Sequence, residues 1–316
     1  MKGDIPSIDL VYLWVDGNDP EWLAKRNAFF GRKVENSSTN FNGRYLNNDE
    51  LKYSLRSVER YASWIRKIFI VTDNQTPKWL DISNPKIQII DQNDILPSKS
   101  LPCFNSNVLE HFLYKIPNLS EHFLLSNDDM FLNKTILPTN FFTKDGFPII
   151  RLNRKPFRRF RWFLREQILK KPHKLYSKAL FNAAELVKHK FGIYYNGLPH
   201  HNIDSYLKSD CLRVAEQIFK DEIDLTKMNH IRSANDVQRI IYSYVALAEK
   251  RGYLQYVSSK ESLHLHIQKD RHYEKLQKFN PTFFCLNDTE YADDNDRKKL
   301  KVWLNSRFPE KSEFEK

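Results

Sequence analysis

The stretch HFLLSNDDMF (residues 122–131) decides how this chain is read. An apolar run stops abruptly in Asn127, Asp128 and Asp129, and apolar sequence resumes at once. Charged side chains are seldom buried unless they are paired or hold a cation. The acidic pair is therefore either a solvated turn or a site. Three other runs share its form: IDLVYLWV (8–15) reaches Asp16, KIFIVT (67–72) reaches Asp73, and KIQII (86–90) reaches Asp91. Each is rich in β-branched and aromatic residues and bounded by turn signals, as buried strands are. Helical patterns separate them. PEWLAKRNAFF (20–30) is one, and NSNVLEHFLYKI (105–116) is another. In 47–65, Leu51, Leu55, Val58, Ala62 and Ile65 fall at helical spacing, and Asn47 with Glu50 reads as a capping box.

Strands alternating with helices predict an α/β fold with a doubly wound, mostly parallel, Rossmann-like sheet. Ligands bind such sheets at the carboxyl ends of the strands. Asp16, Asp73, Asp91 and Asp128 all fall there. No P-loop, G-x-G-x-x-G or HExxH motif occurs.

The bulk numbers narrow the class. With 316 residues, 41% hydrophobic and 14% aromatic, the chain can bury a real core. Cys103, Cys211 and Cys285 are too few and too far apart for a disulfide framework or a CxxC knuckle, which suggests a reducing, cytoplasmic setting. The N-terminal MKGDIPSIDL has no apolar signal segment, and no stretch approaches the ~20 apolar residues of a membrane span.

The net charge is +11, and residues 151–190 carry all of it, with thirteen Lys or Arg against two acids. That points to a local anionic contact, a membrane surface at the inner leaflet being the candidate, and not to nucleic acid. Within it, RKPFRRFRWFLREQILKK (154–171) reads as a helix started by Pro156. Phe157, Phe160, Leu164 and Ile168 then share one face, the pattern of an interfacial helix. Three parts are expected: 1–150 as the α/β part, 151–197 as a basic helical insertion, and 198–316 as a C-terminal part completing the site. In the last, NIDSYLKSDCLRVAEQIF and NDVQRIIYSYVALAEK read as helices.

Individual residues have bland readings too. Asp16-Gly17 could approach a ligand, but a plain strand-to-helix turn with Asp19 as cap explains it. Arg56 lies off the apolar stripe and reads as solvated. His200 and His201 follow Pro199 without a motif. Arg232 precedes a helix capped by Asn235 or Asp236 and could grip an anion. FFCLND (283–288) repeats the apolar run ending in Asn-Asp. His264 and His266 share a strand face but lack a third metal ligand.

Taken together, IDLVYLWVDGNDPEW, NNDELKYSLRSVERYASWIRKIFIVTDNQTPKWL, LPCFNSNVLEHFLYKIPNLSEHFLLSNDDMFL, LPHHNID with HIRSANDVQRIIYSY, and PTFFCLNDTEYADDNDRKKLKVWLNSRFP resemble, in order, the blocks of the Stealth family. These are sugar-1-phosphate transferases of bacterial capsule and exopolysaccharide synthesis, similar to the catalytic region of the animal GlcNAc-1-phosphotransferase. The resemblance covers roughly 8–132, 198–250 and 280–310. Cys103 stands where the family more often has Thr, and 133–197 match nothing in it. The animal enzyme's large recognition modules are absent, so a glycan or lipid-linked oligosaccharide acceptor is expected rather than a protein.

The resemblance implies that Asp128, Asp129, His200 and Arg232 form one active site. Trp14, Asp16, Gly17, Arg56, Asp73, Asn105 and Asn127 would bind a nucleotide-diphosphate sugar, and Asp128 with Asp288 would hold Mg²⁺ or another divalent cation. Arg56 and Arg232 would clamp phosphate, and His200 or Asp129 would take the acceptor proton. A metal-dependent glycosyltransferase attacking the anomeric carbon is the alternative enzyme. A non-catalytic module using 151–190 is the alternative class.

Overall fold

The computed structural model describes residues 7–31 and 45–316. Most of the N-terminal stretch read above for a signal segment lies outside them. In chain order the strands are β1 (Ile8–Leu13), β2 (Ile68–Thr72), β3 (Ile87–Asp91), β4 (His122–Asn127) and a short β5 (Met130–Leu132). Then come β6 (Ile149–Asn153), β7 (Leu198–Pro199), β8 (Asp204–Leu207), β9 (Tyr253–Val257), β10 (Ser262–His266) and β11 (Phe283–Asn287).

The main sheet runs β3-β2-β1-β4-β8, with β3, β2, β1 and β4 parallel and β8 antiparallel to β4 at the edge. The expected α/β sheet is therefore present, with strand ends within two residues of those read from sequence. Successive side chains of a strand face opposite ways. Leu10 and Tyr12 accordingly pack with Leu51, Leu55 and Val58 of the helix Glu50–Tyr61. Val11, Phe69 and Val71 pack on the other face with Val108, Phe112 and Val245. Both faces are buried, which is why these strands read as nearly unbroken apolar runs.

Two smaller sheets complete the molecule, β10-β11-β5 and β7-β6-β9. The chain turns back after β4 and pairs β5 antiparallel with β11, Cys285 opposite Met130. Asp129 O accepts from Leu286 N at 2.9 Å. The carboxyl end of β4 is thereby fastened beside the carboxyl end of β11, and the two Asn-Asp endings of the sequence meet. Core clusters draw on residues from before 150 and after 198 alike.

Local expectations failed in places. The capping box at Asn47 does not form. The helix starts at Glu50 behind Asp49, whose backbone is left-handed (φ 67), and the Glu50 carboxylate turns back to Asn48 N (2.7 Å) and Asn48 Nδ2 (2.8 Å). NIDSYL is not helical: it forms β8, because the open edge of β4 offers a backbone ladder. The basic segment opens as strand β6. Its first helix starts at Arg158, with Phe157 left-handed (φ 57), and passes into a π-turn at Leu164–Ile168. A second helix follows at Leu175–Phe191. Among the described residues no helix is long and apolar enough to cross a membrane.

Candidate active site

At the carboxyl ends of β1 and β4 lies a cavity of about 680 Å³, within the range of small-molecule sites. Trp14, Asn105, Asn127, Asp128, Asp129, His200, Arg232 and Asp288 all line it. These eight expected residues come from six separate stretches of chain. Four others do not line it. Asp16 instead fixes a turn, accepting from Asn18 N (2.9 Å) and Asn47 Nδ2 (3.1 Å). Gly17 is needed because a Cβ there would lie 2.2 Å from Tyr45 O. Its contact is with backbone that carries the cavity-lining Tyr45, not with a ligand. Asp73 is buried against Lys25 Nζ at 2.5 Å.

Arg56 is neither phosphate clamp nor solvated side chain. Its Nε and Nη2 donate to Glu315 Oε1 and Oε2, each at 2.7 Å, and Nη1 donates to Phe308 O at 2.6 Å. That bidentate pair consumes the guanidinium fork and ties the helix Glu50–Tyr61 to the C-terminal residues.

One acid that sequence reading missed joins the site. Glu50 lines the cavity from the first turn of its helix. Burial, then the charge of Asp128, pushes its carboxyl up to about 7. Burial, then the charge of Asp129, pushes Asp128 up to about 7 as well. Neighbouring carboxylates excluded from water cannot all ionise cheaply. They hold a proton or a cation, and an all-oxygen set suits a hard ion such as Mg²⁺. The signal for Glu50 was present: an acid adjoining the apolar stripe at Leu51.

Asp288 behaves differently. Arg297 Nε donates to its Oδ2 at 2.8 Å and Nη2 to Oδ1 at 3.2 Å, so its charge is already offset. This weakens its expected role as a metal ligand relative to Asp128.

His200 is held on both sides of its ring. Nδ1 lies 2.9 Å from Ser262 Oγ and Nε2 lies 3.2 Å from Asp204 Oδ1. Arg239 in turn bonds Glu110 Oε1 (2.5 Å) and Asp204 Oδ2 (3.3 Å). The ring, its side chain fully buried, lines the cavity wall. Asp129 is engaged too, its Oδ2 accepting from the Cys285 thiol at 3.2 Å.

Arg232 does not precede a helix; the next one starts at Ile240. Asp236 organises its loop instead, with Oδ2 accepting from Asn105 Nδ2 (2.9 Å), Asn107 Nδ2 (2.9 Å) and Ser233 N (3.1 Å). Asn105 also donates to Asn229 O and Ile231 O. Asn105 thus positions Arg232, whose Nη2 reaches Ser106 Oγ at 3.1 Å. A guanidinium held in the lining of the same cavity as the acids is equipped to grip an anionic substrate.

The sheet, the strand-end cavity and the acids and guanidinium that line it make the site of an α/β enzyme. Residues 6–33 match Stealth protein conserved region 1, and residues 44–150 match Stealth protein conserved region 2. The chain is 30% identical over 98% of its length to exopolysaccharide phosphotransferase cps2G of Lactiplantibacillus plantarum, covering 96% of that protein. It is 32% identical to capsular polysaccharide phosphotransferase fcs1 of Haemophilus influenzae, covering 98% of this chain and 85% of that one. The chain belongs to the Stealth family. A solved galactosyltransferase, LgtC, overlaps 96% of this chain and 98% of its own, with TM-score 0.44 and 11% identity, too loosely to carry chemistry.

Proposed function

We propose that the chain transfers a sugar-1-phosphate from a nucleotide-diphosphate sugar to a hydroxyl of a growing glycan, forming a phosphodiester in capsular or exopolysaccharide synthesis. One observation carries the reading. The chain is similar over nearly its whole length to polysaccharide phosphotransferases, and a single cavity gathers the buried Glu50–Asp128 pair with Arg232. The acceptor oxygen attacks the sugar-bearing phosphorus, the bond to the departing nucleotide breaks, and a nucleoside monophosphate leaves. Such a transition state is stabilised by positioning and charge neutralisation. Arg232 grips phosphate oxygens. Asp128, with Asp288 at the rim, holds a divalent cation, which when bound neutralises charge on the transferring group. Glu50 receives the acceptor proton, its carboxyl being pushed up to about 7 by burial and the charge of Asp128.

Nucleotides separated after turnover with UDP-GlcNAc and other donors, with phosphorus NMR of the product, test this. Monophosphate and a phosphodiester resonance are expected. Stoichiometric diphosphate with no phosphodiester would mean attack at the anomeric carbon and would overturn it.

The same proposal sets the acceptor, a glycan or lipid-linked oligosaccharide, at an anionic membrane surface. Phe157 (73% exposed), Phe160, Phe163, Ile168 and Leu169 stand in solvent among Arg158, Arg161, Arg165, Lys170 and Lys171. Trp162 anchors the segment by stacking on His173 and Phe181. Exposed aromatics beside cations suit a lipid interface. Co-sedimentation with anionic vesicles, lost at high salt, is expected; absence of binding at low salt would refute this part.

A further inference from the structure

His201 and His264 line the same cavity beside the acidic turn, and the transfer reaction proposed above uses neither. His264 on β10 and Cys285 on β11 are register partners on adjacent parallel strands, so their side chains share a face. His201 comes to them from the loop before β8, its ring centroid 4.9 Å from that of His264. The backbone of His201 is left-handed (φ 59), a conformation uncommon outside glycine that holds its ring toward the pair. One donor atom from each residue lies within 4.8 Å of the other two. The Asp129 carboxylate is 3.2 Å from the Cys285 sulfur.

We propose that His201, His264 and Cys285, with Asp129 as fourth ligand, form a binding site for a borderline-soft divalent cation of the Zn²⁺ class. Two imidazoles and a thiolate select such an ion over Mg²⁺, which prefers oxygen. Tetrahedral donors around Zn²⁺ are spaced by roughly 3.3–3.6 Å. The cluster therefore needs a contraction of about an ångström, within reach of side-chain rotation at His264, which is exposed. On binding, the Cys285 S–H bond breaks, its proton goes to solvent and a sulfur–metal bond forms. The hydrogen bond to Asp129 is replaced by shared coordination. Four protein ligands make a closed, structural site. Its effect is to brace the turn that presents Asp128.

The test uses the intact chain, dialysed against chelator and titrated with Co²⁺, and it reads no turnover, so it stands apart from the transferase reading. The expected result is one Co²⁺ per chain with a sulfur-to-cobalt charge-transfer band that Zn²⁺ displaces and excess Mg²⁺ does not. Cys285→Ser should abolish the band, while Cys103→Ser and Cys211→Ser keep it. His264→Ala, at an exposed position that leaves the core intact, should weaken Co²⁺ binding about tenfold or more. No thiolate band in the wild type, a band that survives Cys285→Ser, or displacement by Mg²⁺ at comparable concentration would overturn the proposal. So would His264→Ala binding Co²⁺ as tightly as the wild type.

Discussion

Two strand ends carry nearly the same sequence and opposite electrostatics. β4 runs out into Asn127-Asp128 and β11 into Asn287-Asp288, and both aspartates line the same cavity. Asp288 has Arg297 across it and is offset. Asp128 faces Asp129 and Glu50 and is pushed up to about 7. Arg297 lies nine residues after Asp288 and Asp129 adjoins Asp128, so only Glu50 is brought to its end from far along the chain. The reactive end is the one where burial and a neighbouring acid raise the carboxyl, so a cation or a proton gains most by binding there.

The comparison breaks first at Asp128. Asp128→Asn should lower turnover by on the order of a thousandfold, the scale of losing an electrostatic group aimed at the transition state. Asp288→Asn should cost roughly ten- to a hundredfold less than that. Steady-state nucleotide release from both variants, each folded at the assay temperature, checks the order; equal losses would erase the distinction.

Arg232→Lys tests the cation that lines the same cavity. An ammonium lacks the planar fork, so a loss of about tenfold or more in turnover is expected. A variant within twofold of wild type would remove Arg232 from the phosphate.

Arg297→Leu makes the quiet end resemble the reactive one by leaving Asp288 without its partner. It should cost about 1–3 kcal/mol of stability, read by denaturant unfolding with and without excess Mg²⁺. The cation should restore part of the loss if Asp288 can then serve as a ligand.

The smallest effect is on pH. Glu50 and Asp128 titrate near 7 when folded and near 4 when unfolded. Between those values the native state keeps protons that the unfolded chain releases, so stability falls as pH rises from about 4 to about 7 and levels off above. In chelator, Glu50→Gln should flatten this slope and raise the melting temperature at pH 8 by on the order of a few °C. An unchanged slope would mean that the two acids do not feel one another.

The sheet was legible because each strand of its parallel part is locally unmistakable. Ile68–Thr72 is five buried residues between charged neighbours, and no distant fact is needed to see it. Strand β8 was not, since NIDSYL is helical or extended with equal ease until the edge of β4 is beside it. The site divides the same way. Asp128 and Asn127 were visible as a run cut short. Arg56 misled because its partner Glu315 lies 259 residues away, and nothing near YSLRSVERY announces it. His264 read in sequence as one of a pair lacking a third metal ligand, and Cys285 became its neighbour only through the register of two strands.

That clasp between Arg56 and Glu315 has a further meaning. The helix it secures has Glu50 on its first turn, so the proton acceptor proposed above rides on a mount bolted from behind by a residue outside the cavity. A substitution at Glu315 would look harmless on any map of the active site. It would nevertheless let the mount rock, trading a fixed proton acceptor for a wandering one, and the damage would register as lost rate with little change in substrate affinity.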